Sequence, residues 1–394
     1  MIFLIAFLIR VVGIFASPLW YDEILSLHRA QLPFWDHMHV HVNVWELTLR
    51  AFANPYMIRV PSLICAAAAL WLAWLIMQEL RFDRMQQMGG MLALTFMPGL
   101  LWMAQDARYY SGIALIYMAS TYFALKGQWL GLIAVSGLSP FVHPTAPAYI
   151  VHAWILISLH APRRVMLGAI ALPFIWWLSP TLPALFARGG SFWLKSADAG
   201  YMLKQYALAL GMNPLNVIPA FLFMVIVVAF AACKFNARAW LIYFTPIVTI
   251  VAVSASVLPV AFYRTLQPSL MGLGILIGSF TPGVKRLPYM AALAMLLTWM
   301  LAQYDPTMHA GHVEIGTDKI IAEWRDGDCI RYGDEFSQTS VSELLPGYAA
   351  CTQDAPREWL ITWTLQEGQR VDFPFFNTNA WHFAPIYFYG PVPQ

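Results

Sequence analysis

Two adjacent carboxylates, Asp22 and Glu23, follow directly after the first apolar segment, at the end of the run SPLWYDE that begins at Ser17. A carboxylate at a bilayer boundary is costly unless it is solvated or paired, so such a residue is a functional candidate. A carboxylate within hydrogen-bond reach of a hydroxyl group can act as a general base. The alternative interpretation is that the two carboxylates simply begin a solvated loop. It is less favoured because other polar clusters fall on the same predicted side of the membrane.

A second polar cluster contains Asp106 and Arg108, and Arg264 follows much later in the chain. The planar guanidinium of arginine suits the geometry of a phosphate group. The alternative for both arginines is that they reach from a helix end to the membrane interface. The neighbouring Tyr109 and Tyr110 are either a surface on which a sugar stacks or part of an interfacial aromatic belt, and the belt is favoured.

Three further cations carry the same two alternatives, phosphate binding or interfacial anchoring: Arg59, Lys195 and Lys204. His37, His39 and His41 alternate, so an extended segment would place them on one face. No second metal ligand is evident near them, and a solvated loop histidine is therefore favoured. His143 precedes Pro144 at a predicted helix end, where a structural cap and a site residue are equally good interpretations.

Composition predicts the elements that must position these residues. Hydrophobic residues make up 59% of the chain, charged residues 11%, and the mean hydropathy is +0.59. These values indicate a polytopic, all-α membrane protein rather than a soluble enzyme. About eleven apolar segments could cross or nearly cross a bilayer: 1–16, 58–80, 87–104, 110–125, 129–142, 146–160, 165–185, 214–233, 239–260, 265–280 and 287–303.

The first segment could instead be a signal peptide, since it is short and ends in small residues. It lacks a basic start and carries Arg10 in its middle, so we expect it to be retained as a helix. Both interpretations leave Asp22 on the outer side.

Orientation follows from the positively charged residues of the short loops. With Met1 inside, every inner loop is short and basic, and these loops contain Arg81, Arg84, Lys126, Arg163, Arg164, Lys234, Arg238, Lys285 and Arg286. The outer connections then hold the carboxylate pair, the cluster at Asp106 and Arg108, and Arg264. The candidate chemistry therefore gathers on the outer face.

The C-terminal part differs in kind, and we expect the boundary between a membrane domain, 1–303, and an outer domain, 304–394. From Asp305 onward there are 13 acidic and 5 basic residues, against 8 and 18 before it. Turn signals separate short strand-like runs, one of them Trp359 to Trp363, from a possible helix over Thr317 to Arg325. A small α/β domain is predicted. Cys329 and Cys351, its two cysteines, are expected to form a disulfide in an oxidising compartment.

Several motifs in order resemble the GT-C membrane glycosyltransferases related to protein mannosyltransferases, glycosyltransferase family 39, and to the lipid A aminoarabinose transferase. The motifs are PLWYDEILSL from Pro18, HVNVWELTLR from His41, IRVPS from Ile58, MAQDARYY from Met103 and YRTLQP from Tyr263. The similarity is dense over 10–125 and sparse afterwards. The chain departs from the family pattern in two respects. Val42 and Asn43, after His41, stand where the family has two prolines, and Asp106 replaces the usual glutamate in MAQDARYY.

The resemblance implies a glycosyltransferase of the cell envelope, in the bacterial cytoplasmic membrane. Such enzymes move a sugar from a polyprenyl-phosphate donor to a glycan, lipid or protein acceptor at the outer face, with inversion. Membrane lipids surround them, and nucleic acid is not an expected partner. Asp22 matches the catalytic carboxylate position, with Glu23 as its supporting neighbour. His41 falls where some relatives bind a divalent metal ion, the one cofactor that the resemblance suggests.

The resemblance implies roles for the remaining polar residues as well. Asp106 would help to shape the catalytic cleft. Arg108 and Arg264 would hold the phosphate of the donor, for which cationic groups are needed as charge develops on the departing phosphate.

Two other classes of protein remain as alternatives. A transporter or flippase for a lipid-linked saccharide places ionisable groups in mid-membrane along a path. Here Arg10 is the one charge clearly inside a predicted span. A polymerase of lipid-linked saccharides shares outer-face chemistry but uses a large late loop rich in arginine and histidine. The outer stretch from Arg188 to Tyr206 is short for that role.

The predicted orientation can be tested by labelling introduced cysteines in intact cells. In a background without Cys65 and Cys233, we expect a membrane-impermeant maleimide to label Ser196→Cys and to spare Gln128→Cys. Permeabilised cells should label both positions and so control for reactivity. Labelling of Gln128→Cys in intact cells would reverse the orientation and remove the candidate chemistry from the outer face.

Overall fold

A computed structural model of the chain describes residues 2–16, 23, 26–27, 30, 44–54, 57–158, 199–211, 236–256, 263–280, 328–332, 350–351, 357–362 and 387–393. The described residues are mostly helical, with a small sheet near the C-terminus. The chain divides into two compact units. One comprises Met1–Phe15 and Arg29–Tyr304, and the other comprises Ala16–His28 and Asp305–Gln394.

The helices described in the first unit are, in chain order, α1 (Ile2–Ala16), α2 (Val44–Arg50), α3 (Val60–Glu79), α4 (Arg84–Phe96), α5 (Pro98–Gln105), α6 (Tyr110–Leu125), α7 (Trp129–Val142), α8 (Val151–Ser158), α9 (Ala199–Ala209), α10 (Ala237–Ser256), α11 (Tyr263–Leu266) and α12 (Leu270–Phe280). Two short 3₁₀ turns, Ala146–Tyr149 and Gln267–Ser269, precede α8 and α12. The expectation that the membrane part is built from helices is confirmed for the described residues.

Two of the described helices, α3 and α10, are long and apolar enough to cross a membrane. Shorter apolar helices include α6 and α7, whose bounds coincide with the predicted segments 110–125 and 129–142. The predicted segments 165–185, 214–233 and 287–303 lie outside the described residues. The count of about eleven crossings therefore stays a prediction.

Helices α1 and α3 run antiparallel. At one end the Arg59 guanidinium donates a hydrogen bond to the Ile14 carbonyl at 2.9 Å. Towards the other end the Phe3 ring packs against Trp71 and Trp74, with ring centroids 5.5 and 5.6 Å apart. The contacts fix both the direction and the register of the pair.

Helices α3 and α6 define two opposite ends of the bundle. At one end, here the Asp106 end, the Ser62 hydroxyl donates to the Asp106 carbonyl at 2.5 Å. At the other, the Lys126 end, Lys126 and Glu79 form an ion pair at 2.6 Å. Their hydrogen bond raises the pKa of the exposed lysine. With 20 residues, α3 separates the two ends by about 30 Å.

Large apolar side chains lie on the outside of this unit. On α1, Leu4 and Val12 are 60% and 68% exposed, whereas Ala6, Arg10 and Ile14 are buried. The buried set recurs every four residues, so one face of α1 packs inward and the apolar remainder faces outward. An outward apolar face of this kind is compatible with a lipid environment.

The predicted segment 87–104 is two helices rather than one. Helix α4 ends at Phe96, Met97 is extended, and Pro98 begins α5. Proline lacks an N–H group and clashes with the preceding turn, so a helix ends before it or bends. The segment is also packed unusually closely: a Cβ atom on Gly90 would lie 3.0 Å from the Gly274 carbonyl oxygen of α12.

The second unit contains a three-stranded mixed sheet of β1 (Asp328–Tyr332), β2 (Arg357–Thr362) and β3 (Tyr387–Pro393). Strand β2 is central, parallel to β1 and antiparallel to β3. Cys329 and Cys351 are joined by a disulfide with Cα atoms 4.8 Å apart. The possible helix near Thr317 lies outside the described residues. Unlike the predicted division, which kept 17–57 with the membrane domain, this unit includes Ala16–His28.

Close approach at the start of α5 generates a stability prediction. A Cβ atom on Gly99 would lie 1.7 Å from the Ala209 carbonyl oxygen, at the end of α9. Gly99→Ala should therefore force α5 and α9 apart and cost about 1–3 kcal/mol, measured as a lower unfolding temperature in detergent. The control is Gly131→Ala, whose Cβ would meet the half-exposed Phe123 ring at 2.9 Å. Equal unfolding temperatures for the two variants would contradict this account.

Candidate functional site

The link between α5 and α6, residues 106–109, is held by side chains from two other helices. The Ser62 hydroxyl of α3 donates to the Asp106 carbonyl at 2.5 Å and reaches the Arg108 carbonyl at 3.4 Å. The Trp45 indole of α2 donates to the Ala107 carbonyl at 3.4 Å. Each carbonyl would otherwise need another partner, because α5 has ended and α6 has not yet begun. The backbone that carries Asp106 and Arg108 is therefore well defined.

An aromatic and cationic cluster lies next to this link. The Arg108 guanidinium carbon is 5.1 Å from the centroid of the Tyr109 ring. The same ring stacks on the His143 imidazole, with centroids 3.8 Å apart and planes 16° apart. A guanidinium over an aromatic face is attracted by the ring quadrupole. The contacts connect α6 with the end of α7.

The His143 ring is oriented by Thr145. The Thr145 backbone N–H donates to Nδ1 at 3.2 Å, and the Thr145 hydroxyl oxygen is 2.8 Å from the same atom. An Nδ1 that accepts an N–H group is unprotonated, so the neutral ring carries its proton on Nε2. His143 is also the C-terminal cap of α7, and its backbone N–H donates a hydrogen bond to the Ser139 carbonyl. Both interpretations offered by the sequence, a helix cap and a residue of the site, are thus compatible with its position.

One buried phenol lies within electrostatic range of both arginines that were predicted to bind phosphate. Tyr110 is only 2% exposed, and both Arg108 and Arg264 interact electrostatically with it. Its hydroxyl is 3.3 Å from that of Tyr109. The structure therefore brings together residues from two motifs that are far apart in the sequence. An interfacial aromatic belt was favoured for Tyr110, whereas its side chain is buried inside the bundle rather than on its outer surface.

Arg264 is held in place by the segment around it. It lies in the short helix α11 and is 2% exposed. The carbonyl of the next residue, Thr265, accepts a hydrogen bond from the Tyr149 hydroxyl. The Ser269 hydroxyl donates to the Leu266 carbonyl at 2.6 Å. These contacts fix the backbone on the C-terminal side of Arg264.

The other predicted site residues are placed less closely. Arg59 is buried at the start of α3 and donates to the end of α1, as described above, which gives it a structural role at the Asp106 end. Lys204 is half-buried on α9. Glu23 belongs to the second unit and is fully buried. Asp22, His41 and Lys195 lie outside the described residues.

The residues that hold the site together were not singled out by the sequence. Ser62 and Trp45 form hydrogen bonds with backbone carbonyls of a distant segment, and Thr145 bonds the His143 ring. Local sequence patterns do not predict such hydrogen bonds. Ser62 does belong to the IRVPS motif and Trp45 to the HVNVWELTLR motif, and these were the available signals. Among the described residues, no group of three or more histidine, cysteine or acidic side chains could hold a metal ion.

Compared with protein-family models, curated proteins and solved structures, the chain matches none of them. The interpretation of the site therefore depends on its geometry and on the motifs. Two guanidinium groups within electrostatic range of the same residue at the start of α6 are suited to attract an anion, and phosphate is the anion whose oxygens match the arginine fork.

Phosphate binding can be separated from interfacial anchoring by lysine variants. Arg264→Lys and Arg108→Lys keep the charge and lose the bidentate fork, so each should weaken binding of polyprenyl phosphate in nanodiscs by about tenfold. Arg84→Lys, at the Lys126 end, is the matched control and should bind as the unaltered protein does. If arginine serves only to reach the interface, lysine serves equally well. Unchanged affinity in both site variants would contradict phosphate binding.

Proposed function

We propose that this protein is a GT-C-type glycosyltransferase of the bacterial cytoplasmic membrane. It moves a sugar from a polyprenyl-phosphate-linked donor to an acceptor at the outer face. The observation that carries the proposal is that Arg108 and Arg264, from motifs far apart in the sequence, both lie within electrostatic range of the buried Tyr110, near Asp106. A one-sided cluster of cationic and acidic groups suits an enzyme that works at one membrane face.

The outer location is supported by three features. The Asp106 end and the Lys126 end are opposite ends of α3, and the basic loop residue Lys126 lies away from the candidate site. Cytoplasmic loops are enriched in lysine and arginine, which favours an outer position for the Asp106 end. The second unit contains a disulfide, and disulfides persist in oxidising compartments such as the bacterial periplasm.

In the proposed reaction, an acceptor hydroxyl oxygen attacks the anomeric carbon of the sugar. The bond between that carbon and the phosphate oxygen breaks, and the configuration inverts. Asp22 accepts the proton of the attacking hydroxyl. Arg108 and Arg264 offset the charge that develops on the departing polyprenyl phosphate. Phosphate is a good leaving group, so no general acid is required.

Glu23 and Asp106 have supporting roles in this proposal. Glu23, the neighbour of Asp22 in the chain, orients the acceptor hydroxyl. Asp106, at the end of α5, helps to shape the cleft around the donor. The acceptor class is a glycan, a lipid or a protein of the envelope. A metal at His41 is not needed for the chemistry described.

The transporter alternative is less well supported by the surroundings of Arg10. A transport path is lined by ionisable groups that face a cavity. The Arg10 guanidinium instead donates to backbone carbonyls of α1 and α4. These hydrogen bonds favour a structural role for Arg10 over a role in contacting a transported substrate.

The base is tested by Asp22→Asn, which keeps the shape of the side chain and removes the proton acceptor. Transfer from a polyprenyl-phosphate sugar should fall by about 10²-fold or more, with the unfolding temperature unchanged. Glu23→Gln should cost less. Asp83→Asn, at the start of α4 near the Lys126 end, is the matched control, because asparagine caps a helix as well as aspartate does. Full turnover in a folded Asp22→Asn variant would move the base to another carboxylate, Asp106 first.

A further inference from the structure

The interruption between α4 and α5 removes two backbone donors from the last turn of α4. In a continuous helix the Leu94 carbonyl would accept from the N–H of residue 98, and Pro98 has none. The Thr95 carbonyl would accept from the Gly99 N–H, which instead points to the Leu210 carbonyl at 3.4 Å. Both carbonyls lie among apolar helices, where an unsatisfied backbone group is costly.

Arg10 supplies both missing donors. Its Nη2 donates to the Leu94 carbonyl at 2.9 Å, and its Nη1 reaches the Thr95 carbonyl at 3.5 Å. Nη1 also donates to the Ala6 carbonyl of its own helix at 2.9 Å. Lysine has one nitrogen where arginine has two terminal ones in a fixed plane, so arginine fits two neighbouring carbonyls better.

The charge of Arg10 also suits this location. The C-terminal end of a helix carries a partial negative charge, which stabilises a nearby cation. A fully buried guanidinium (1% exposed) is thus placed against the end of α4. An ionisable residue inside a membrane is expensive and is a functional candidate for that reason.

We propose that Arg10 is a positioning residue for the candidate site. By holding the last turn of α4 open at Pro98, it fixes the direction in which α5 leaves. Helix α5 has eight residues, about 12 Å, and it ends at Asp106, where the link to α6 carries Arg108. A change in the direction of α5 displaces that link from Ser62, Trp45 and Arg264.

The direct test of Arg10 is hydrogen–deuterium exchange of the purified full-length protein, which does not depend on any activity. Arg10→Met removes the donors and should raise exchange of residues 98–109 at least tenfold, with little change in α3. Ile157→Ala, a cavity variant in the buried part of α8, is the control for general loss of stability and should not single out 98–109. Uniform exchange changes in Arg10→Met, or none, would overturn the proposal.

A second variant separates positioning from stability. Pro98→Ala restores an N–H group that can reach the Leu94 carbonyl, and it lets the helix straighten. In the Arg10→Met background it should therefore recover the unfolding temperature and leave 98–109 exchanging differently from the unaltered protein. If the effects of the two substitutions on unfolding temperature simply add, the guanidinium is not replacing the missing donor and the proposal fails.

The consequence for catalysis rests on the proposed function. If the unaltered protein transfers sugar, Arg10→Met should lower kcat at least tenfold, and Pro98→Ala should not restore it. Arg10→Lys, which keeps the charge, guards against a methionine variant that does not fold and should show a smaller rise in exchange at 98–109. An unaltered protein without transfer activity would refute the proposed function and leave the exchange test intact, whereas full kcat in Arg10→Met would refute positioning.

Discussion

The need to satisfy backbone polar groups in apolar surroundings governs the first unit of this protein. A proline at position 98 stops a helix in the middle of the bundle, and the neighbouring elements are arranged around that stop. Arg10 bonds the carbonyls that proline leaves open. Gly99 lets the backbone of α9 approach, and its N–H turns to the Leu210 carbonyl. One missing N–H group thus links α1, α4, α5 and α9, because in such surroundings no water replaces the lost partner.

The same requirement shapes the Asp106 end. Between α5 and α6 the chain cannot bond to itself, so Ser62 and Trp45 bond its carbonyls from outside. The side chains of the link are then presented in a fixed place, within electrostatic range of Tyr110, as Arg264 also is. A rigid backbone around charged groups favours binding of a phosphate group, because groups whose orientation is fixed beforehand lose little conformational freedom on binding. This arrangement supports the proposal that the bundle holds an anionic lipid head group.

Local patterns predicted some features of this molecule and not others. The bounds of α6 and α7 follow from apolar runs, and both helices lie where the sequence put them, although Pro140 lies inside α7. The break at Met97 was not expected, because one proline in an apolar segment predicts either a kink or an end. The burial of Tyr110 and the contacts of Arg10 with Leu94 depend on segments distant in sequence, which hydrophobic periodicity does not reveal. The carboxylate pair was found from its place beside an apolar segment, and Asp22 lies outside the described residues.

The central claim, that the protein transfers sugar from a lipid carrier at the outer face, is tested most directly by mass spectrometry of cells that make it naturally, with and without the gene. Carrier lipids and envelope glycans would be measured in the same samples, with the Asp22→Asn form as a third arm. This account predicts that cells without active protein accumulate a polyprenyl-phosphate sugar and lose that one sugar from an envelope glycan, lipid or protein. Identical carrier lipids and glycans in all three arms would contradict it.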